Sequence, residues 1–114
     1  MSDGSIAVIY RWRIAADAEA AFRDRWSKAT LDLRALGGLG SMLSRNAAGE
    51  WVAIALWRNP EARRQAFDGR PSPPPIAGVE FLGEEVLHVA DDLWLASAFQ
   101  AGTIAALGKD AETS

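Results

Sequence analysis

The chain has 114 residues, about half apolar and about a quarter charged, with a formal net charge of −3. That length supports one compact domain, and the weak acidic balance without a Lys/Arg run excludes a nucleic-acid-binding stripe. The absence of cysteine excludes disulfides, thiolate metal sites and a cysteine nucleophile, while five tryptophans demand a core, an interface or a pocket.

Residues 5–14 alternate. Ile6, Val8, Tyr10, Trp12 and Ile14 fall on one face, and Ala7, Ile9, Arg11 and Arg13 on the other, which predicts a strand. The period then changes. Phe22, Trp26, Ala29, Leu33 and Leu36 step by three or four and form one helical face. Asp17 is the expected N-cap of this helix. Glu19 with Arg23, and Asp24 with Lys28, are expected i,i+4 pairs. Gly37-Gly38 stops the helix. Residues 40–46 read as a weaker strand with Met42 and Leu43 on opposite faces. The turn at residues 47–50 joins it in a hairpin to a strand over residues 51–58.

That third strand is apolar on both faces. Val52, Ile54 and Leu56 lie on one. Trp51, Ala53, Ala55 and Trp57 lie on the other, where two rings flank two methyl groups and leave a gap. The gap suits either a flat ligand or a packed helix. Asn59 as N-cap and Pro60 at the first position start a second helix that runs to about Phe67. Asp68-Gly69 ends it, and the proline run at residues 71–75 reads as a stiff rim loop. The last long strand is expected over residues 84–95, with a bend or bulge at Asp91-Asp92. Residues 5–95 thus form the domain. Residues 96–114 form a tail whose alanine-rich first part suits a short helix, which Gly102 weakens.

The order β-α-β-β-α-β is the ferredoxin-like split βαβ pattern, an α+β fold with an antiparallel sheet. Helices cover one side of such a sheet. The face carrying Val52, Ile54 and Leu56 then needs a second cover, most simply another copy of the sheet, so a homodimer is expected. No apolar run approaches the ~20 residues that span a bilayer. The opening residues lack the regions of a signal peptide. A cytoplasmic protein without a membrane partner is the expectation.

Three segments carry a resemblance: Val8-Ile-Tyr-Arg-Trp-Arg-Ile14, the helix end Gly37-Gly38-Leu39-Gly40-Ser41, and Ala53-Ile-Ala-Leu-Trp-Arg-Asn-Pro-Glu-Ala62. The chain resembles the antibiotic biosynthesis monooxygenase-like domains of the dimeric α+β barrel group, over roughly residues 5–95. The resemblance implies a pocket lined by a tryptophan near the end of the third strand, matched here by Trp57. It also implies a choice of chemistry, since relatives include cofactor-independent oxygenases of polycyclic phenols and haem-degrading oxygenases. In the haem-degrading group a first-strand asparagine and a second-helix histidine complete the site. Here the first position is Tyr10 and the second helix holds no histidine, which argues against haem degradation.

Two functions follow. One is a cofactor-independent monooxygenase acting on a planar aromatic or polyketide-like molecule, with Trp57, Tyr10 and His88 as catalytic candidates. Trp12, Trp26, Ala53, Ala55 and Phe67 would bind the substrate. The other is a non-catalytic dimer that binds a small apolar molecule. Trp57 is equally readable as cover for the helix–sheet seam, and Tyr10 as a buried tyrosine with a backbone partner. His88, the sole histidine, could serve as general base, but Glu84 lies too far along the strand to orient it. Arg11 and Arg13 face away from Tyr10 and suit an edge carboxylate or a partner subunit. One histidine without cysteines makes a metal site unexpected. No phosphate-loop, nucleotide or flavin motif is present, so no cofactor is expected.

Overall fold

A computed structural model describes residues 4–97 and Phe99. In chain order it contains β1 (Ile6–Ile14), a 3-10 turn (Ala16–Ala18), α1 (Glu19–Ala35), β2 (Gly38–Arg45), β3 (Trp51–Trp57), α2 (Pro60–Phe67) and β4 (Val79–His88). The four strands form one sheet in the order β2-β3-β1-β4, and every neighbouring pair is antiparallel. This is the expected ferredoxin-like α+β architecture. The terminal helix expected over residues 96–107 lies almost wholly outside the described residues. No helix among the described residues is long and apolar enough to cross a membrane.

Alternation along the strands decides which side chains meet the helices. In the β1–β3 ladder Ile6 sits opposite Trp57, Val8 opposite Ala55 and Tyr10 opposite Ala53. Their side chains share one face, and the core forms there. Ile6, Val8, Trp57 and Ala66 are its buried centre, and Tyr10, Leu33 and Ala62 pack against it. Both helices thus cover the Trp57 face. Val52, Ile54 and Leu56 stand on the opposite face, half-buried, with neither α1 nor α2 over them; Trp94 borders the grooves around Ile54 and Leu56.

The local signals that start and stop elements follow familiar chemistry. Asn59 caps α2 by accepting a hydrogen bond from the Ala62 amide at 2.7 Å, and Pro60 occupies the first turn. Gly37, with φ of 112°, follows the last turn of α1 in a conformation that side-chain-bearing residues avoid. The β2–β3 hairpin is held by Asn46. Its side-chain oxygen accepts from the Ala48 and Glu50 amides at 3.1 and 2.9 Å, and its amide nitrogen donates to the Glu50 carboxylate. Asp24 and Lys28 pair at 3.0 Å as expected, whereas Glu19 and Arg23 form no ion pair among the described residues.

Four expectations are corrected. Asp17 is not the N-cap of α1. It lies within the 3-10 turn, where the Ala18 amide already bonds to the Ala15 carbonyl, and α1 starts at Glu19 with no side-chain cap. Leu36 is not part of the buried helical face, because the helix has ended and the side chain is exposed. The last strand spans Val79–His88 rather than residues 84–95. β1 supplies ladder partners only between Ile14, opposite Val79, and Ile6, opposite His88, and a single bond from the Val89 amide to the Ser5 carbonyl follows. The irregularity expected at Asp91-Asp92 occurs instead at Gly83. There the register to β1 slips between Arg11 and Trp12, and the glycine takes φ of 138°. Asp92 organises a turn by accepting from the Trp94 amide and the Ser97 hydroxyl. Leu93 and Trp94, read as strand, are 94% and 70% exposed.

Candidate functional site

The helix-covered face is not filled throughout. Ala53 and Ala55 contribute only methyl groups in the middle of β3, and the rings around them cannot close the space. A cavity of about 210 Å³ remains between α1, the sheet and the end of α2. Tyr10 and Trp12 from β1 stack at 5.8 Å along one wall. Phe22 from α1 and Phe81 from β4 brace Trp12 from behind, at 4.9 and 6.1 Å. Trp57 and Phe67, 6.0 Å apart, close one end. Trp26, Ala29, Thr30, Leu33 and Arg34 on α1 form the roof, and Gly38, Gly40 and Ser41 on β2 form the remaining side.

The structure therefore brings together Tyr10, Trp12, Trp26, Ala53, Ala55, Trp57 and Phe67 around one space. It does not bring His88 there. His88 lies at the far end of β4, opposite Ile6, exposed, and lines a separate groove with Pro60, Arg63 and Val86. Trp51, the other large ring of the third strand, is buried outside the cavity, with the Arg45 guanidinium 5.0 Å from its ring. The proline run stands at the outside of α1, where the Arg25 guanidinium donates to the Pro74 carbonyl. Arg13 pairs with Glu80 on the edge strand at 2.9 Å, which satisfies the edge-carboxylate reading of that residue.

Two side chains outside the cavity lining act on Tyr10: Arg63, which the sequence reading passed over, and Glu84, weighed there only against His88. Arg63 on α2 donates to the Tyr10 hydroxyl at 3.1 Å and to Glu84 at 2.9 Å. Its guanidinium also lies 5.7 Å from the Phe67 ring, one helical turn further on. Burial would pull the Arg63 pKa down, but hydrogen bonds to Glu84 and Tyr10 outweigh it and hold the group above its ordinary range. An arginine can only donate. The Tyr10 oxygen thus accepts from Arg63 and keeps its own O–H to donate elsewhere. The signal for Arg63 was its i,i+4 spacing to Phe67. The signal for Glu84 was its register opposite Tyr10, which the displaced strand boundary hid.

Trp57 has both roles that the sequence left open. It is 2% exposed within the core, and it also lines the cavity. Its indole Nε1 is buried and has no hydrogen-bond partner among the described residues. An orphaned buried donor carries a desolvation cost of about 1–3 kcal/mol until an acceptor meets it.

With this geometry the chain can be set beside solved structures. Rv0793 from Mycobacterium tuberculosis is 24% identical, with 78% of this chain and 98% of that chain covered and a TM-score of 0.58. SnoaB, a cofactor-independent oxygenase from Streptomyces nogalater, is 15% identical over 79% and 97% of the two chains, with a TM-score of 0.60. The heme-degrading protein Rv3592 from Mycobacterium tuberculosis is 18% identical over 79% and 99%, also at 0.60. The chain has the antibiotic biosynthesis monooxygenase-like fold. No family model matches the sequence, and no curated protein does either. The fold alone assigns no activity; that rests with the residues of the site. No imidazole or thiolate lines this cavity.

Proposed function

We propose that the protein is a cofactor-independent monooxygenase that binds a planar, electron-rich aromatic molecule in the cavity over Ala53 and Ala55. The observation that supports this most is the cavity itself: four aromatic walls, Tyr10, Trp12, Trp26 and Trp57, around an apolar floor. An engineered apolar cavity of about 150 Å³ takes up one benzene ring. A space of about 210 Å³ suits two fused rings, with further rings or substituents reaching the mouth. Tyr10 at the first-strand position and the lack of a histidine on α2 favour the phenol-oxygenating class over haem cleavage.

The protein's part is to bind, orient and exclude water. The indole walls stack on the ring faces. The Tyr10 O–H donates to a substrate oxygen, and the Arg63 guanidinium behind it stabilises negative charge that develops there. For an anthrone-type substrate the reactive carbon loses its proton, and the resulting anion gives electrons to dioxygen. A C–O bond forms, the O–O bond breaks, and the CH₂ becomes C=O. The second oxygen leaves as water with the two former CH₂ hydrogens. The same reading pairs two copies through the face of Val52, Ile54 and Leu56. One observation favours the binding-only alternative: no carboxylate or imidazole lines the cavity to serve as a base.

Anthrone under ¹⁸O₂ separates the two. Oxygenation predicts labelled anthraquinone above the spontaneous rate, unaffected by chelator or added flavin and lowered in Tyr10→Phe. Tight binding with no turnover above background would establish the binding protein instead. A strict requirement for flavin or metal would overturn the cofactor-independent mechanism.

A further inference from the structure

The chemistry lining the cavity is one-sided. Its apolar lining is interrupted by few polar residues, Tyr10, Thr30 and Ser41, and by a single charged one, Arg34. No Asp or Glu among the described residues lines it. Nothing there neutralises a ligand cation, and several groups meet a ligand anion. We infer that the cavity selects a planar aromatic that carries a fixed anionic substituent, an aromatic carboxylate, with Arg34 as the specificity-determining residue. This rests on the cavity being a ligand site.

The position of Arg34 supports the assignment. Thr30, Arg34, Gly40 and Ser41 line both the cavity and the shallower groove next to it, so they frame the mouth. Arg34 lies in the last turn of α1, exposed, and has no ion-pair partner among the described residues. The two arginines of α2 are committed: Arg63 to Tyr10 and Glu84, and Arg64 to Glu61 and Asp68. A cation in the last turn also suits the helix dipole. That role needs no particular partner and does not occupy the guanidinium fork, which fits a carboxylate in two parallel hydrogen bonds. The ligand would lie with its ring over Ala53 and Ala55, its oxygen at Tyr10, and its carboxylate at the mouth.

Titration calorimetry with 2-naphthoate and its neutral isostere 2-naphthamide tests this on the whole protein. The expected result is tighter binding of the carboxylate by about two- to fivefold, the upper part of the range for an exposed charge pair. Arg34→Gln should abolish the preference and leave naphthamide affinity unchanged. Arg34→Lys should restore part of it. Equal binding of the two probes by the parent, or a preference that survives Arg34→Gln, would overturn the inference while leaving the cavity as the ligand site. Failure of both probes to bind would count against the cavity as a site and overturn both readings.

Discussion

The contact between Tyr10 and Arg63 lends itself to a double-mutant cycle. Tyr10→Phe removes only the hydroxyl oxygen that accepts from Arg63 at 3.1 Å. Arg63→Met keeps most of the aliphatic stem and removes the charge. A hydrogen bond to a charged group is worth about 1.5–3 kcal/mol when buried. Arg63 is 23% exposed in its side chain and retains Glu84 as an alternative acceptor. Screening by water therefore lowers the expected coupling to about 1 kcal/mol. Arg63→Met also strips Glu84 of its partner, and because Glu84 is 42% exposed that loss adds only about 0.2–1 kcal/mol. The single variants should thus cost about 1 and about 1.5–2 kcal/mol, and the double variant should cost about 1 kcal/mol less than their sum. Urea denaturation gives the energies, and each kcal/mol should lower the melting temperature by about 4–8 °C in a domain of this size. Losses that add to within about 0.5 kcal/mol would refute the contact as an energetic pair. Glu84→Gln is the control, since its amide oxygen still accepts from Arg63 and the Tyr10–Arg63 coupling should persist.

Gly38→Ala would place a Cβ 3.0 Å from the Leu33 carbonyl oxygen and 3.3 Å from Cη2 of Trp57. The backbone atom cannot yield easily, so a loss of about 1–3 kcal/mol and weaker aromatic binding are expected, and an unchanged melting temperature would contradict the tight packing of α1 on β2. Ile54→Lys puts a charge at the centre of the helix-free face, where two copies should pair. Sedimentation equilibrium should show a parent dimer converted to monomer or aggregate, and a parent that is monomeric at micromolar concentration would refute the pairing.

The order of elements was legible in the sequence because local rules wrote it. Period-two alternation marked β1, the three-and-four spacing from Phe22 to Leu33 marked α1, and Asn59-Pro60 marked the start of α2 to the residue. The wall residues were legible too. Once β1 and β3 are strands, alternation puts Tyr10 and Trp12 on one face of β1, and Trp57, Ala53 and Ala55 on one face of β3. Antiparallel pairing then brings the two sets together. What alternation cannot supply is register on an edge strand. β4 is mostly exposed, so its apolar pattern is weak, and the slip at Gly83 breaks what period it has. Its limits are set by where β1 offers partners, a non-local condition. That one unknown concealed Glu84 opposite Tyr10, left Arg63 without an evident role, and made His88 look closer to the site than it is. Whether the gap over Ala53 and Ala55 is filled by a helix or left open was likewise a tertiary matter. It depends on how near α1 can approach, and Trp26, Trp57 and Phe67 hold the helices off the strand and keep a cavity between them.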